Sequence, residues 1–403
     1  MRENNSEKRG QERIVALDYL RVIAVALLFF FHLGMIWVPE WQFHFKQQTQ
    51  WYWLQHVMLI VSPWRMGLLW FIAGTSIWVM RQRYGIHFLL CQRSNAILLP
   101  LLIGIFFVVP IQLFVEMTQK LAIDAPLSEF LFHFYVGEST YFEGFSSGIW
   151  HHVDVNHLWF LRSLWRFTLL LVIFDSVLLS MRQRCGTFSL VWLCALLIAA
   201  LGIMQIEGSD LRRDCYGLMC LLVGYFFGTS HQFWRWLSVN TVPLLLSAIS
   251  VIFIYEVCFW LMRIEVGGGI VNTVFAVFYN VAKIVALMAV LAMSTQLFSH
   301  PSASVARANQ FVFPFYVFHQ SALVGVAYVV ASQTLSLVQS VLVTAILSLV
   351  VCFLGLTISH YSPIAGLLFG KKPQRGSWLH SRKVHTVIAL ATLPLGLKIM
   401  GVL

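Results

Sequence analysis

Long stretches of uninterrupted apolar residues, each about 20 residues and separated by short polar segments, recur from one end of the chain to the other. That length spans a bilayer as a helix, and the pattern predicts eleven spans, near 14–38, 58–80, 95–116, 157–181, 187–204, 211–230, 242–262, 270–298, 308–332, 337–361 and 384–402. The fold class expected is therefore all-α, a polytopic membrane protein. The first run is too long for a signal peptide and continues into Trp37-Val-Pro39 without a small-residue cleavage site, so it is expected to stay in the mature chain. Composition agrees: 59% of residues are hydrophobic and 11% charged.

The basic residues carry the orientation. Arg2, Lys8, Arg9 and Arg13 precede the first span, Arg81, Arg83 and Arg93 follow the second, and Arg182 and Arg184 follow the fourth. Arg235, Arg307, Lys371, Lys372, Arg375, Arg382 and Lys383 fall on the same side, whereas most acids fall on the other. The positive-inside rule then makes the N-terminus cytoplasmic. The net charge of +10 is accounted for by orientation and lipid headgroups, and nucleic acid is not an expected partner. The seven cysteines include no CxxC pair and read as small apolar residues of the spans. One long connection, about 117–156, carries aromatic and acidic residues and is expected to form a lid or interfacial segment on the outer side.

Chemistry is signalled where ionisable residues interrupt the apolar runs, because each costs roughly 2.5–3.5 kcal/mol or more in lipid. In the first span, Asp18, Arg21 and His32 lie on one stripe, with Arg21 and His32 eleven residues, or about 16 Å, apart along the axis. Arg21 would hold a phosphate or carboxylate arriving from the cytoplasm, while His32, about 24 Å along the span, meets a partner from outside. Arg65 opens the second span as an anion site, and Gly74-Thr75-Ser76 reads as helix packing. His157, with Arg162 and Arg166 at i, i+4 below it, suits an anion- or sugar-binding rim. The neighbouring His151, His152 and Asp154 lack the pairing of a zinc motif, and no metal is expected. Tyr279, Asn280 and Lys283 lie at i, i+3 and i+4 spacings near the middle of the eighth span. Lys283 there needs an anionic partner, either Glu256 or a ligand carboxylate. Asn309, Tyr316 and Gln320 are expected on one stripe of the ninth span, with His319 beside it and Pro314 near midspan.

Together these motifs resemble the acyltransferase-3 family of bacterial integral-membrane acyltransferases, and within it the OpgC/MdoC type of periplasmic-glucan succinyltransferase. The resemblance rests on Leu17-Asp18-Tyr-Leu-Arg21 with His32 in an R-x10-H spacing, Trp64-Arg65-Met66 before Phe71-Ile-Ala-Gly74, and Ile97-Leu-Leu-Pro100 leading to Pro110-Ile-Gln112. It continues through Asn156-His157-Leu-Trp159, Phe315-Tyr316-Val-Phe-His319 and Phe369-Gly-Lys-Lys-Pro373. It implies a transmembrane acyltransferase domain over 1–373, with a ten-helix core inside 14–361, followed by a basic loop and one additional helix in 374–403.

The family's second arginine motif has two arginines three apart. Here Arg93 is followed by Ala96, so Arg81 or Arg83 would supply the second cation. What the resemblance implies is transfer of an acyl group, succinyl or acetyl, from cytoplasmic acyl-CoA to a hydroxyl of a periplasmic or envelope glycan. The location would be the inner membrane, with no permanently bound cofactor. His32 would be the general base or a transient acyl carrier, Arg21 would steer the donor and Asp18 would orient Arg21. Arg81, Arg83 and Arg93 would bind the donor phosphates. Arg65, His157, Arg162, Arg166, Lys283, Tyr316 and His319 would shape the acceptor and acyl-group site. The competing reading is a secondary transporter of a glycan precursor or anion, which intramembrane cations serve equally well; no internal inverted repeat is visible.

Overall fold

The computed structural model describes residues 2–120, 123–137, 140–145, 152–266, 268–371 and 382–399. Its helices run in the order α1 (Arg2–Met35), α2 (Tyr52–Arg83), α3 (Ile86–Arg93), α4 (Leu99–Phe107), α5 (Pro110–Gln119), α6 (Leu127–Val136), α7 (Trp159–Ile173), α8 (Asp175–Arg184) and α9 (Leu190–Met204). There follow α10 (Ser209–Phe227), α11 (His231–Val239), α12 (Thr241–Arg263), α13 (Gly268–Leu297), α14 (Ala303–Asn309), α15 (Val312–Ala331), α16 (Leu337–Tyr361), α17 (Pro363–Leu368) and α18 (Arg382–Ile399). A π turn, Ser94–Leu98, joins α3 to α4. Among the described residues there is no strand and no disulfide.

Among the described residues seven helical segments are long and apolar enough to cross a membrane, and α7 with α8, broken at Phe174, would make an eighth. The other three expected spans correspond to helices that fall short on physical grounds. α9 has 15 residues, about 22 Å. α10 carries Asp210, Arg212, Arg213 and Asp214 in its first turns, and α18 opens on Arg382-Lys383. Large apolar side chains lie outward along α12 and α16, among them Leu246, Phe253, Leu342, Ile346 and Phe353. A helix apolar on its outward face suits lipid rather than water.

The chain divides into two compact units. The first contains residues 1–28, 55–84 and 174–309. Its tightest seam is backbone against backbone between α2 and α10. A Cβ placed on Gly74 would lie 1.9 Å from the Leu221 carbonyl oxygen, and one on Gly224 would lie 2.0 Å from that of Phe71. Thr75 completes the seam by donating its hydroxyl to the Phe71 and Gly224 carbonyls. Pro63 inside α2 has no N–H for the Leu59 carbonyl, and the Tyr255 hydroxyl donates to that oxygen instead at 2.7 Å. Arg182 lies over the Trp78 ring at 3.8 Å and donates to the Tyr225 and Phe226 carbonyls at the C-terminal end of α10. A cation there suits the helix dipole.

The second unit contains residues 29–54, 85–173 and 310–403. α16 presents a buried stripe of Ser340, Thr344, Ser348 and Cys352 at intervals of four, with Leu356 next. Small residues let membrane helices approach closely. The Phe318 ring, from α15, lies 3.1 Å from where a Gly355 Cβ would sit. Lys46 ties the loop after α1 to both neighbouring helix ends. Its backbone exchanges two hydrogen bonds with the Gln119 amide at the end of α5, and its ammonium donates to the Met35 carbonyl at 2.7 Å and to that of Val38. The described residues of the long 117–156 connection include α6 and pack through their aromatic rings. Phe130, Phe134 and Phe142 form an aromatic cluster with Phe114 and His152, whose ring stacks on Phe142 at 4.3 Å.

Two corrections concern the ninth expected span. It is not one helix, because the chain leaves helical geometry between Asn309 and Val312, so Asn309 does not share a stripe with Tyr316 and Gln320. Pro314 lies in the first turn of α15 rather than at midspan, where a missing N–H removes no intrahelical bond.

The Gly seam predicts that Gly224→Leu, which forces a branched side chain into the α2 backbone, destabilises the protein by about 1–3 kcal/mol or more, read as a lowered thermal midpoint in detergent. Burial pushes the Lys46 ammonium down to about 8 from its ordinary 10.5. Between those values the unfolded chain binds more protons than the folded one, so this group makes stability rise with pH across that window. Thermal midpoints of wild type minus those of Lys46→Met should therefore climb from pH 8 to about 10.5 and stay flat below pH 7.

Candidate functional site

α1 contributes a polar group to each unit. In the first unit Arg21, about a third exposed, donates Nη1 to Asp18 Oδ1 at 3.2 Å, one turn earlier, and to Asn309 Oδ1 at 3.4 Å. Nη2 donates to Ser76 Oγ at 3.3 Å. Asn309 is itself fixed, donating its amide to the Asp18 and Val305 carbonyls, while Ser76 donates to the Ile72 carbonyl at 2.8 Å. The guanidinium is thus held in one orientation by three helices. Of the three small residues 74–76, Gly74 and Thr75 pack as expected, while Ser76 belongs to this arginine.

In the second unit His32 Nδ1 lies 2.9 Å from His319 Nε2, and His319 Nδ1 lies 2.6 Å from the Tyr316 carbonyl oxygen. A carbonyl only accepts, so His319 carries its proton on Nδ1, and in a neutral ring Nε2 is then the acceptor. His32 must donate from Nδ1, which leaves the lone pair of its neutral ring on Nε2. The network assigns that tautomer. Phe43 stacks on the His32 ring at 6.1 Å and 11°, fixing its plane.

His157 is set differently. Its Nε2 donates to the Val317 carbonyl at 3.0 Å, and its Nδ1 accepts from Gln112 Nε2 at 2.9 Å. With both nitrogens engaged and 5% exposure, it acts as a brace for α15. Asn156 immediately before it has φ +41°, a left-handed conformation that asparagine tolerates, and this turns the chain into α7. The Tyr316 hydroxyl donates to the His157 carbonyl. Gln112 also donates to Ser321 Oγ at 2.6 Å and accepts from Gln320 at 3.1 Å. His32, His319, Tyr316 and His157 are therefore joined in one chain of hydrogen bonds, and Gln112, which ties its His157 end to Gln320 and Ser321, gave no sequence signal beyond its place in a motif.

Of the expected donor arginines, Arg81 and Arg83 belong to the first unit and Arg93 to the second. Arg81 forms a two-pronged ion pair with Asp175 at 2.8 and 2.7 Å. Arg83 lies over the Tyr84 ring. Arg93 is 9% exposed, and its Nε and Nη2 have no hydrogen-bond partner among the described residues. Beside it, Asn95 donates to the His385 carbonyl at 2.9 Å and contacts its Nδ1 at 2.6 Å, so α18 is seated on the π turn.

Lys283 donates to Asn280 Oδ1 at 2.9 Å and lies 5.2 Å from the centroids of both Tyr216 and Tyr279. Its expected protein partner, Glu256, is instead paired with His56 at 2.9 Å. Among the described residues no carboxylate lies within ion-pair distance of Lys283. Arg65 is buried in α2, one turn after Ser62, which hydrogen bonds Tyr279 at 2.8 Å. Arg162 and Arg166 are half-buried on α7. Among the described residues no three His, Cys, Asp or Glu side chains group to hold a metal; His151 lies outside them.

No curated protein and no solved structure matches the chain. A family model, that of an acyltransferase domain, matches residues 14–359, a stretch that contains Asp18, Arg21, His32 and the Gln112 network. The chain therefore belongs to the acyltransferase-3 family of multi-pass membrane acyltransferases.

Proposed function

We propose that this protein takes an acyl group from cytoplasmic acyl-CoA and delivers it to a hydroxyl of a periplasmic or other envelope glycan. The observation that carries the reading is the His32–His319–Tyr316 chain of hydrogen bonds. A base must present a lone pair at a fixed position, and here the second imidazole and a backbone carbonyl fix it at His32 Nε2. In the direct route Nε2 takes the hydroxyl proton as the sugar oxygen attacks the thioester carbonyl. The C–S bond then breaks, and CoA leaves as a thiol with the proton returned from the imidazolium. His319 steadies the imidazolium through the same Nδ1–H bond. In the alternative route Nε2 itself attacks the thioester carbonyl, the C–S bond breaks with CoA leaving as the thiolate, and the acyl-imidazolium then passes its acyl group to the sugar hydroxyl, whose proton goes to the thiolate.

Arg21, aimed by Asp18, Asn309 and Ser76, suits the anionic donor. Arg93 is the strongest candidate for the donor phosphates, since a buried guanidinium with nitrogens lacking protein acceptors calls for an anion. Arg81 is committed to Asp175 and serves the fold. Lys283, held by an amide and two aromatic rings in place of a carboxylate, favours an acyl group with a carboxylate of its own, succinyl over acetyl. By the basic residues the N-terminus is cytoplasmic, and the membrane is the bacterial inner membrane.

The test is the mass of periplasmic and surface glycans from cells with wild-type protein, His32→Ala at matched abundance, or none. One succinyl unit present only with wild type is expected; identical glycans in all three would reject the assignment. In vitro, His32→Ala should lower kcat by about 10²–10⁴. His319→Gln, acting through His32, should cost less and shift the pH–rate profile. Arg93→Ala should raise KM for acyl-CoA at unchanged thermal midpoint, whereas Arg81→Ala should lower the midpoint.

A further inference from the structure

Within the second unit the C-terminal end of α5 and the folded outer connection enclose a cavity of about 250 Å³. Of the residues whose contacts or conformation are described above, it touches Asn156 and, from the aromatic cluster, Phe134 and His152. Six side chains give it its chemistry: Glu116 and Lys120 from the end of α5, Phe134 from α6, Phe145, Asp154 and Asn156. We propose that this cavity binds one uncharged sugar residue of the acceptor glycan, as a subsite that holds the chain while a neighbouring hydroxyl reaches His32. The proposal rests on the glycan reading of the function and adds to it a place and a ligand charge.

The walls are fixed before any ligand arrives. Glu116 is held by His44 Nδ1 at 2.7 Å and by Lys120 at 2.6 Å. Lys120 also lies 5.2 Å from the Phe145 ring centroid, which anchors that ring at the cavity. The Phe134 carbonyl accepts from His152 Nε2 at 2.7 Å, and Asp154 spends Oδ1 on the Val155 N–H at 2.6 Å.

What the walls present is a mixed set. Two carboxylates accept from hydroxyls, an ammonium and an amide donate, and two aromatic rings cover C–H faces. A polyhydroxylated ring uses all of these. A phosphate or dicarboxylate would face Glu116 and Asp154, and an acyl chain would take water from the remaining lone pairs of both carboxylates and offer no hydrogen bond in return. The volume falls just below the roughly 300–1,000 Å³ of pockets for drug-sized ligands, which suits a single residue of a longer chain.

The cavity also lies at the same end of this unit as His32. Lys46 bonds the last carbonyl of α1, three residues after His32, and simultaneously the Gln119 amide one turn from Glu116. Adjacent residues finish the link: Phe43 stacks on His32 and His44 holds Glu116.

The experiment is saturation-transfer NMR on the full chain in detergent, with maltose, laminaribiose and gentiobiose as probes and no acyl donor present. Wild type should bind at least one of them, and Phe145→Ala and Asp154→Asn should each weaken it about tenfold at unchanged thermal midpoint. If Phe145→Ala does not fold, Asp154→Asn carries the comparison alone. Absence of sugar binding to wild type, equal binding by the variants, or displacement of the sugar by succinate or inorganic phosphate would each overturn the proposal. Because no turnover is involved, sugar binding that depends on Asp154 in a protein that fails to acylate glycans would leave the subsite standing and reject only the transferase chemistry.

Discussion

Hydrocarbon supplies no hydrogen bonds, so every polar group that enters it must find its partner inside the protein. That constraint accounts for several closed sets of polar groups here. Pro63 removes a donor, and Tyr255 answers the carbonyl left behind. The exposed carbonyls at the end of α10 are met by Arg182. His157 has both ring nitrogens engaged. The His32–His319 pair obeys the same rule: the Tyr316 carbonyl sets the His319 tautomer, and His319 in turn sets that of His32.

The two ends of the R-x10-H spacing are stabilised by different means. Arg21 is partly exposed and draws on side chains from α1, α2 and α14, a multipoint hold that keeps a flexible cation from collapsing onto the nearest carboxylate. His32 lies three residues before the end of α1, and that end is fixed by Lys46. A base needs its ring position defined, and an anion-binding group needs its charge presented; the loop and the amide network supply these separately.

How much of this could be read from the chain depends on the separation of the partners. Asp18 and Arg21 are three residues apart, so helical geometry alone pairs them, and the length of the apolar runs revealed an all-α membrane protein. Ser76 and Asn309 around Arg21, and Gln112 and Ser321 around His157, are joined across 45 to 288 residues, and no periodicity encodes such a meeting. Gly74-Thr75-Ser76 shows the limit within one turn: two of its members serve packing and one the arginine, a division set by which face of α2 each occupies. The Glu256 alternative for Lys283 failed because His56, absent from any motif, claims that carboxylate. At the ninth span the apolar run begins beside the polar pair Asn309-Gln310, and the break at residues 310–311 is a matter of backbone geometry.

The seating of α18 on the π turn has a consequence for the order in which the protein is made. Asn95 is synthesised some 290 residues before His385, the group that its amide meets. Until α18 leaves the ribosome, Ser94 and Asn95 and the flank of Arg93 lack that neighbour, so this part of the second unit is finished only after every other described helix has emerged. A nascent chain would thus hold His32 long before the π turn meets its partner on α18.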